Sequence, residues 1–319
     1  MINDTVLIIG ANGQLGSVLS EELQKIHGKD NVIASDVYLN STFNGVFEII
    51  DATDIKAIEN IVNKYAVNQI YHLAAILSAK GEKNPLRTWD LNISMMLNVF
   101  EVSRTNNVKK VFFPSSIAVF GDKAPLENTP QSAFLNPATV YGMSKAAGEN
   151  WAQYYFNKYG LDVRSIRYPG IIGYQSMPGG GTTDYAVDIY HSAVKQEKYS
   201  CFLNPETKLP MIFMDDAIRS TIELMQAPKE SIKTRTSYNL GSMSFSPNEI
   251  TEEIQKLYPN FKVEYNADFR QEIADKWPKS INDDEARKDW NWKPKYDLKL
   301  MTLVMLEKLE EKYNTTTLK

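Results

Sequence analysis

Tyr141 and Lys145 stand four residues apart in Tyr141-Gly142-Met143-Ser144-Lys145, a spacing that puts both side chains on one face of a helix. A phenol titrates near pH 10 (about 10 in a free chain), and a neighbouring ammonium favours its phenolate. The pair is therefore predicted to take a proton from a substrate hydroxyl while hydride leaves the same carbon. Tyr154 and Lys158 repeat the spacing and show what an ordinary surface pair looks like. Tyr141 differs by its place at a helix start after Asn136-Pro137, and by the strand Val111-Phe112-Phe113-Pro114-Ser115-Ser116 upstream. A neutral hydroxyl there, Ser116 first and Ser115 beside it, suits an oxygen on which charge develops.

A hydride needs an acceptor, and the amino-terminal turn Gly10-Ala11-Asn12-Gly13-Gln14-Leu15-Gly16 is built to hold one. It follows the apolar run Thr5-Val6-Leu7-Ile8-Ile9 and opens an amphipathic segment, so its backbone can approach a pyrophosphate seated on a helix N-terminus. Asp36 ends the next strand-like run, twenty positions after Gly16. Its carboxylate would accept the adenosine ribose hydroxyls and repel a 2′-phosphate, and no arginine follows within the next few residues, so NAD is expected over NADP.

The chain has 319 residues, 43% of them hydrophobic, a net charge of -4 and 35 Lys and Arg without a basic block. That composition allows a sizeable core and argues against nucleic acid as a partner. No apolar stretch approaches the ~20 residues of a membrane span, and the start lacks a positive leader region, so a cytoplasmic enzyme is expected. The single cysteine, Cys201, sits in an apolar context and is expected to be buried and inert. With only His27, His72 and His191 besides, none at ligand spacing, no metal site is expected.

Short β-branched runs alternate with helix-length segments, the pattern of a doubly wound parallel sheet of Rossmann type. Strands are predicted over 5–9, 32–35, 46–50, 69–73, 110–114 and 163–167, and helices over 14–27, 55–65, 85–105 and 138–159. After Tyr168 the rhythm changes, beginning with the glycine- and proline-rich loop 175–183. We expect a nucleotide-binding domain over 1–170, with later segments returning to it, and a smaller α/β substrate lobe over 171–319.

The Gly-x-x-Gly-x-x-Gly spacing resembles that of the extended short-chain dehydrogenase/reductase family, as do Asp51-Ala52-Thr53-Asp54, His72-Leu73-Ala74-Ala75, Asn92 and Ser115-Ser116-Ile117-Ala118-Val119-Phe120-Gly121. The resemblance implies an adenine contact at Asp51 and Ala52, a cofactor cleft bordered by Leu73, Ala74, Ala75, Asn92, Tyr168 and Pro169, and Lys145 on the nicotinamide ribose. Alignment on Gly121 places the catalytic hydroxyl at Ser116. His72 reads as a packed strand residue. The family's sugar-nucleotide epimerases end a strand in Arg-Tyr-Phe-Asn and carry an arginine before a Val-x-Asp element. This chain has Arg167-Tyr168-Pro169-Gly170 and Leu209, so the diphosphate grip is missing and a small substrate is expected.

Gly179-Gly180-Gly181-Thr182-Thr183-Asp184-Tyr185-Ala186, with Ser78-Ala79-Lys80-Gly81-Glu82 and Trp277-Pro278-Lys279-Ser280, looks like the short-chain type of L-threonine 3-dehydrogenase. That implies oxidation of the threonine side-chain alcohol by NAD, with Ser78, Ser115, Ser116, Tyr141, Thr182, Thr183 and Trp277 around the amino acid. Exposed loop amides and threonine hydroxyls suit a small carboxylate, Thr182 or Thr183 is a candidate N-cap, and the glycines suggest a closing loop. Trp277 reads equally as a core residue. The competing readings are a sugar-nucleotide epimerase or dehydratase and a non-catalytic NAD sensor. The family pairs helices such as 91–105 and 142–159 across a dimer, and Met95, Met96, Val99, Trp151 and Tyr155 put apolar surface on more than one face of them, so a homodimer is expected.

Overall fold

The computed structural model describes residues 4–177 and 179–317; residues 1–3, read for a leader, and Pro178 of the glycine-rich loop lie outside the described residues. The first part of the chain runs β1 (Val6–Ile9), α1 (Gln14–His27), β2 (Val32–Asp36), β3 (Val46–Ile49), α2 (Ile55–Tyr65), β4 (Gln69–His72), α3 (Ser78–Gly81), α4 (Pro85–Thr105), β5 (Lys110–Phe112), β6 (Ser115–Ser116), α5 (Val140–Tyr159), β7 (Asp162–Arg164), β8 (Ile166–Tyr168) and β9 (Gly170–Ile172). Then follow α6 (Tyr185–Val194), β10 (Tyr199–Cys201), β11 (Leu209–Phe213), α7 (Met214–Gln226), β12 (Tyr238–Asn239), β13 (Met243–Phe245), α8 (Pro247–Gln255), β14 (Val263–Tyr265), α9 (Arg270–Ala274), α10 (Asp284–Trp290) and α11 (Leu298–Thr317).

Six parallel strands form the central sheet in the order β3-β2-β1-β4-β5-β7. The chain starts at β1, winds outward to β3, then returns to β4 on the other side, so a crevice opens at the carboxyl ends of β1 and β4. Every residue of β1 is buried because both faces are covered. Val6 and Ile8 pack into a cluster with Leu19 of α1 and Ala217 of α7, whereas Leu7 and Ile9 pack with Ile58 of α2 and Val99 of α4. A third cluster joins Ile117–Phe120 to α6, β11, α8 and α11, and holds Trp277. Segments after residue 170 return to the first half: α7 lies against α1, and β12 pairs with β8. Cys201 is buried and unpaired.

Two expected strands are broken within the apolar runs that suggested them. The 110–114 strand ends at Phe112, because Pro114 has no N–H for a ladder, and the chain resumes pairing at Ser115 in a different sheet. The 163–167 strand divides at Ser165, and its second part, β8, sits between β6 and β12. The helix expected from 138 starts at Val140, since Thr139 is its N-cap and accepts the Gly142 amide at 3.1 Å.

Candidate active site

The glycine turn is a cradle that side chains would fill. Gly10 has φ +93°, and a Cβ there would lie 2.6 Å from the Ala74 nitrogen; a Cβ at Gly16 would overlap the Gly10 carbonyl oxygen and lie 2.8 Å from Ala11 Cα. No side chain caps α1 and its first turn holds no acid, so its N-terminal amides face the crevice with the positive end of the helix. Asp36 accepts the Asn12 amide at 3.0 Å on one oxygen and the Val37 amide at 2.8 Å on the other, which leaves lone pairs for hydroxyl donors. These features fit a dinucleotide.

Beside the cradle lies a cavity of about 270 Å³. Gly10, Gly13, Gln14, Leu15 and Gly16 line it together with Leu73, Ala75, Tyr168 and Pro169. Its other walls bring together Ser78, Ser115, Ser116, Tyr141, Lys145, Thr182, Thr183 and Trp277, drawn from segments as far apart in sequence as residues 78 and 277. Tyr141 and Lys145 come from the first turns of α5. The Lys145 Nζ sits 5.5 Å from the Tyr141 ring centroid and 4.6 Å from that of Phe113.

The expected lowering of the tyrosine by the lysine does not occur. Burial pushes the Tyr141 phenol up to about 12, with the hydrogen-bonded Ser116 hydroxyl pulling the other way, and burial brings the Lys145 ammonium down to about 7. Each charge is disfavoured by the same dry surroundings. His72 is fully packed, stacks on Phe113 with centroids 6.4 Å apart, and is held neutral, near 3, by burial and then by Lys145.

At the far end two buried polar atoms lack a partner: Thr182 Oγ1 and Trp277 Nε1. Trp277 is both a cavity wall and a core residue, 5% exposed. The N-cap of α6 is Asp184, not either threonine. Its Oδ2 turns back to accept the Gly180 and Gly181 amides, each at 2.7 Å. Those two amides, expected to be available for a carboxylate, are therefore already engaged, and the loop is pinned through its glycines. Burial raises the Asp184 carboxyl, opposed by these amides and by Arg270.

Several expected contacts stand elsewhere. Asn92 accepts the Ile76 amide at 2.9 Å and donates to the Ile76 carbonyl and to Ser144, so it clamps the loop after β4 and does not line the cavity. Asp51 closes its own turn onto Thr53, at 2.9 Å to the amide and 2.7 Å to the hydroxyl. Asn12, Asp36, Ala52 and Ala74 also lie off the cavity wall. Leu209 is buried in β11 and is no part of the wall, whereas Gly170 is, and a Cβ there would lie 2.7 Å from Thr183 Cβ. Asp184, Leu77, Pro114 and Ile117 also line it. Asp184 belongs to the glycine-rich run before α6, but only its carboxylate geometry reveals its part.

The sequence profile of the NAD dependent epimerase/dehydratase family matches residues 6–241. An uncharacterized epimerase/dehydratase of Staphylococcus haemolyticus is 46% identical over 314 residues, 97% of this chain and 98% of that protein. A GalE-like L-threonine dehydrogenase from Cupriavidus necator superimposes with a TM-score of 0.94 at 49% identity, over 96% of this chain and 99% of its own. A monomeric L-threonine 3-dehydrogenase from a metagenome does so with a TM-score of 0.94 at 50% identity, over the same shares.

Proposed function

Since this chain belongs to the NAD dependent epimerase/dehydratase family, we propose that it oxidises the side-chain alcohol of L-threonine with NAD to 2-amino-3-oxobutyrate. The observation that carries this reading is the small cavity in which the Ser116, Tyr141 and Lys145 set faces the unpartnered Thr182 Oγ1 and Trp277 Nε1. The dehydrogenases of known structure that this chain resembles support it.

Gly10, Gly13, Gly16 and the amides of α1 would hold the pyrophosphate, and Asp36 the adenosine ribose. Bound NAD would supply the hydride acceptor and a cationic ring whose charge favours the Tyr141 phenolate. Tyr141 takes the proton of the β-hydroxyl as the C–H bond of the same carbon breaks. Ser116 donates to that oxygen and orients it. Lys145 lies beside the Tyr141 ring and holds the nicotinamide ribose. Thr182 and Thr183 donate to the substrate carboxylate.

A sugar nucleotide is disfavoured by Gly170, where even a methyl group would crowd Thr183. The homodimer reading rests on Trp89 and Trp151, rings left exposed on α4 and α5, while Met96, Val99 and Tyr155 are buried within the chain. Molar mass by light scattering checks it.

The test is NADH formation from NAD and L-threonine in the presence of a chelator, beside parallel UDP-sugar reactions. Threonine-dependent NADH is expected; conversion of a UDP-sugar without it would overturn the substrate. A Tyr141→Phe protein that binds NAD but has lost turnover separates catalysis from a sensor.

A further inference from the structure

The two adjacent serines differ in where their protons go. Ser116 Oγ accepts the Ala118 amide at 3.2 Å and is hydrogen-bonded to Tyr141, so its proton is directed into the site. Ser115 Oγ lies 2.6 Å from Glu149 Oε1. Glu149 is fully buried on α5, about two turns beyond Tyr141. Its oxygens also accept from Arg167, Nε at 2.9 Å and Nη2 at 2.7 Å. A carboxylate gripped by a guanidinium fork only accepts, so the proton between Ser115 and Glu149 is the serine's. Arg167 is itself fixed, since Nη1 donates to Asn239 Oδ1 and to the Gln131 carbonyl, each at 3.0 Å. Ser115 belongs to the cavity wall with its proton committed behind it, so any lone pair its oxygen turns toward the cavity can only accept.

Resting on the threonine reading above, we propose that Ser115 is an obligate acceptor for the substrate α-ammonium and that Glu149 is the positioning residue that sets this polarity. An ammonium brings three N–H donors. Asp184, the carboxylate on the cavity wall, has Oδ2 taken by two amides and keeps Oδ1, which alone does not satisfy three N–H donors, so a further acceptor is needed. A hydroxyl whose proton is drawn toward a buried carboxylate is a strengthened acceptor. Neighbouring residues thus read opposite polarities on one molecule, with Ser116 donating to the reacting oxygen and Ser115 accepting from nitrogen. The class selected is a β-hydroxy-α-amino acid over a β-hydroxy acid.

The experiment measures KM and kcat for L-threonine, and Ki for (R)-3-hydroxybutyrate, the same skeleton without the amino group, in the unaltered protein, Ser115→Ala and Glu149→Gln. Both variants are expected to raise the threonine KM about 10-fold or more, the loss of one hydrogen bond to a charged group. The fall in kcat should be smaller, and NAD affinity and the Ki should stay within about twofold. A glutamine at 149 presents an amide that can donate to Ser115 and reverse its polarity, and a merely structural role would not turn that change into an amino-specific loss. Equal losses on both ligands, or threonine kinetics of Ser115→Ala that match the unaltered protein, overturn the proposal; Ser115→Ala decides alone if Glu149→Gln does not fold. Absence of threonine turnover in the unaltered protein overturns the threonine reading and this proposal together, whereas normal turnover with the amino preference intact in Ser115→Ala overturns this proposal only.

Discussion

Helix α5 carries two tyrosine–lysine pairs at one spacing, and they behave in opposite ways. In the outer pair the Lys158 ammonium donates to the Tyr154 oxygen at 2.7 Å, and that bond lowers the tyrosine and raises the lysine. In the inner pair Tyr141 is pushed up to about 12 and Lys145 down to about 7 by burial, and the ammonium rests over rings. Water lets the outer pair carry its charges at little cost; the inner pair is held near neutrality, so a charge brought into the crevice governs its protonation. Helical spacing supplies the shared face, and the surroundings decide what the face does.

The sharpest test of this contrast is the matched substitution Tyr141→Phe and Tyr154→Phe. Removing the inner phenol should cut threonine turnover by roughly 10³-fold, within the range of lost acid–base catalysis, while the outer one leaves it within about twofold; equal effects would erase the distinction. Next in size, Lys145→Met should lower kcat by about 10²-fold and flatten the dependence of Tm on pH. The folded lysine value, about 7, lies below the unfolded one, 10.5. Between these values the unfolded chain binds the extra proton, so stability rises with pH across this window and is lost as pH falls through it. A variant that keeps the slope would remove Lys145 as its source. Ser116→Ala should cost about 10-fold in kcat and move the ascending limb of the rate profile to higher pH, because the bond that lowers Tyr141 is gone; an unmoved limb would argue that Ser116 does not touch the phenol. The smallest effect is Lys158→Met, in which ultraviolet titration should show Tyr154 returning upward while turnover and Tm stay unchanged.

The nucleotide half of the fold was readable because its signals are periodic and local. Helices at Gln14–His27, Ile55–Tyr65 and Pro85–Thr105 occur where apolar spacing indicated. Strand ends were less so: Pro114 and Ser165 mark changes of sheet, which depend on partners remote in sequence. Tyr141, Lys145, Ser116 and the glycines stand out in the sequence through chemistry and spacing, and the structure brings them to one cavity. Pro114, Ile117 and Leu77 line the cavity through shape and leave no such mark. Asn92 has a part the sequence did not reveal, because a buried amide on a helix serves a neighbouring loop as well as a ligand. The acceptors of Asp184 and Glu149 were hidden for a related reason, since each depends on where two other segments meet.

The crowding at Gly170 bears on descent as well as on binding. Any side chain placed there meets Thr183 and the Met211 sulfur, so the asparagine that sugar-nucleotide epimerases carry at this point cannot arrive as a lone mutation without displacing both. The loop threonine would have to retreat and the methionine of β11 shrink at the same time. A change at position 170 is thereby coupled to positions 183 and 211, a valley that lineages on either side would seldom cross by single steps.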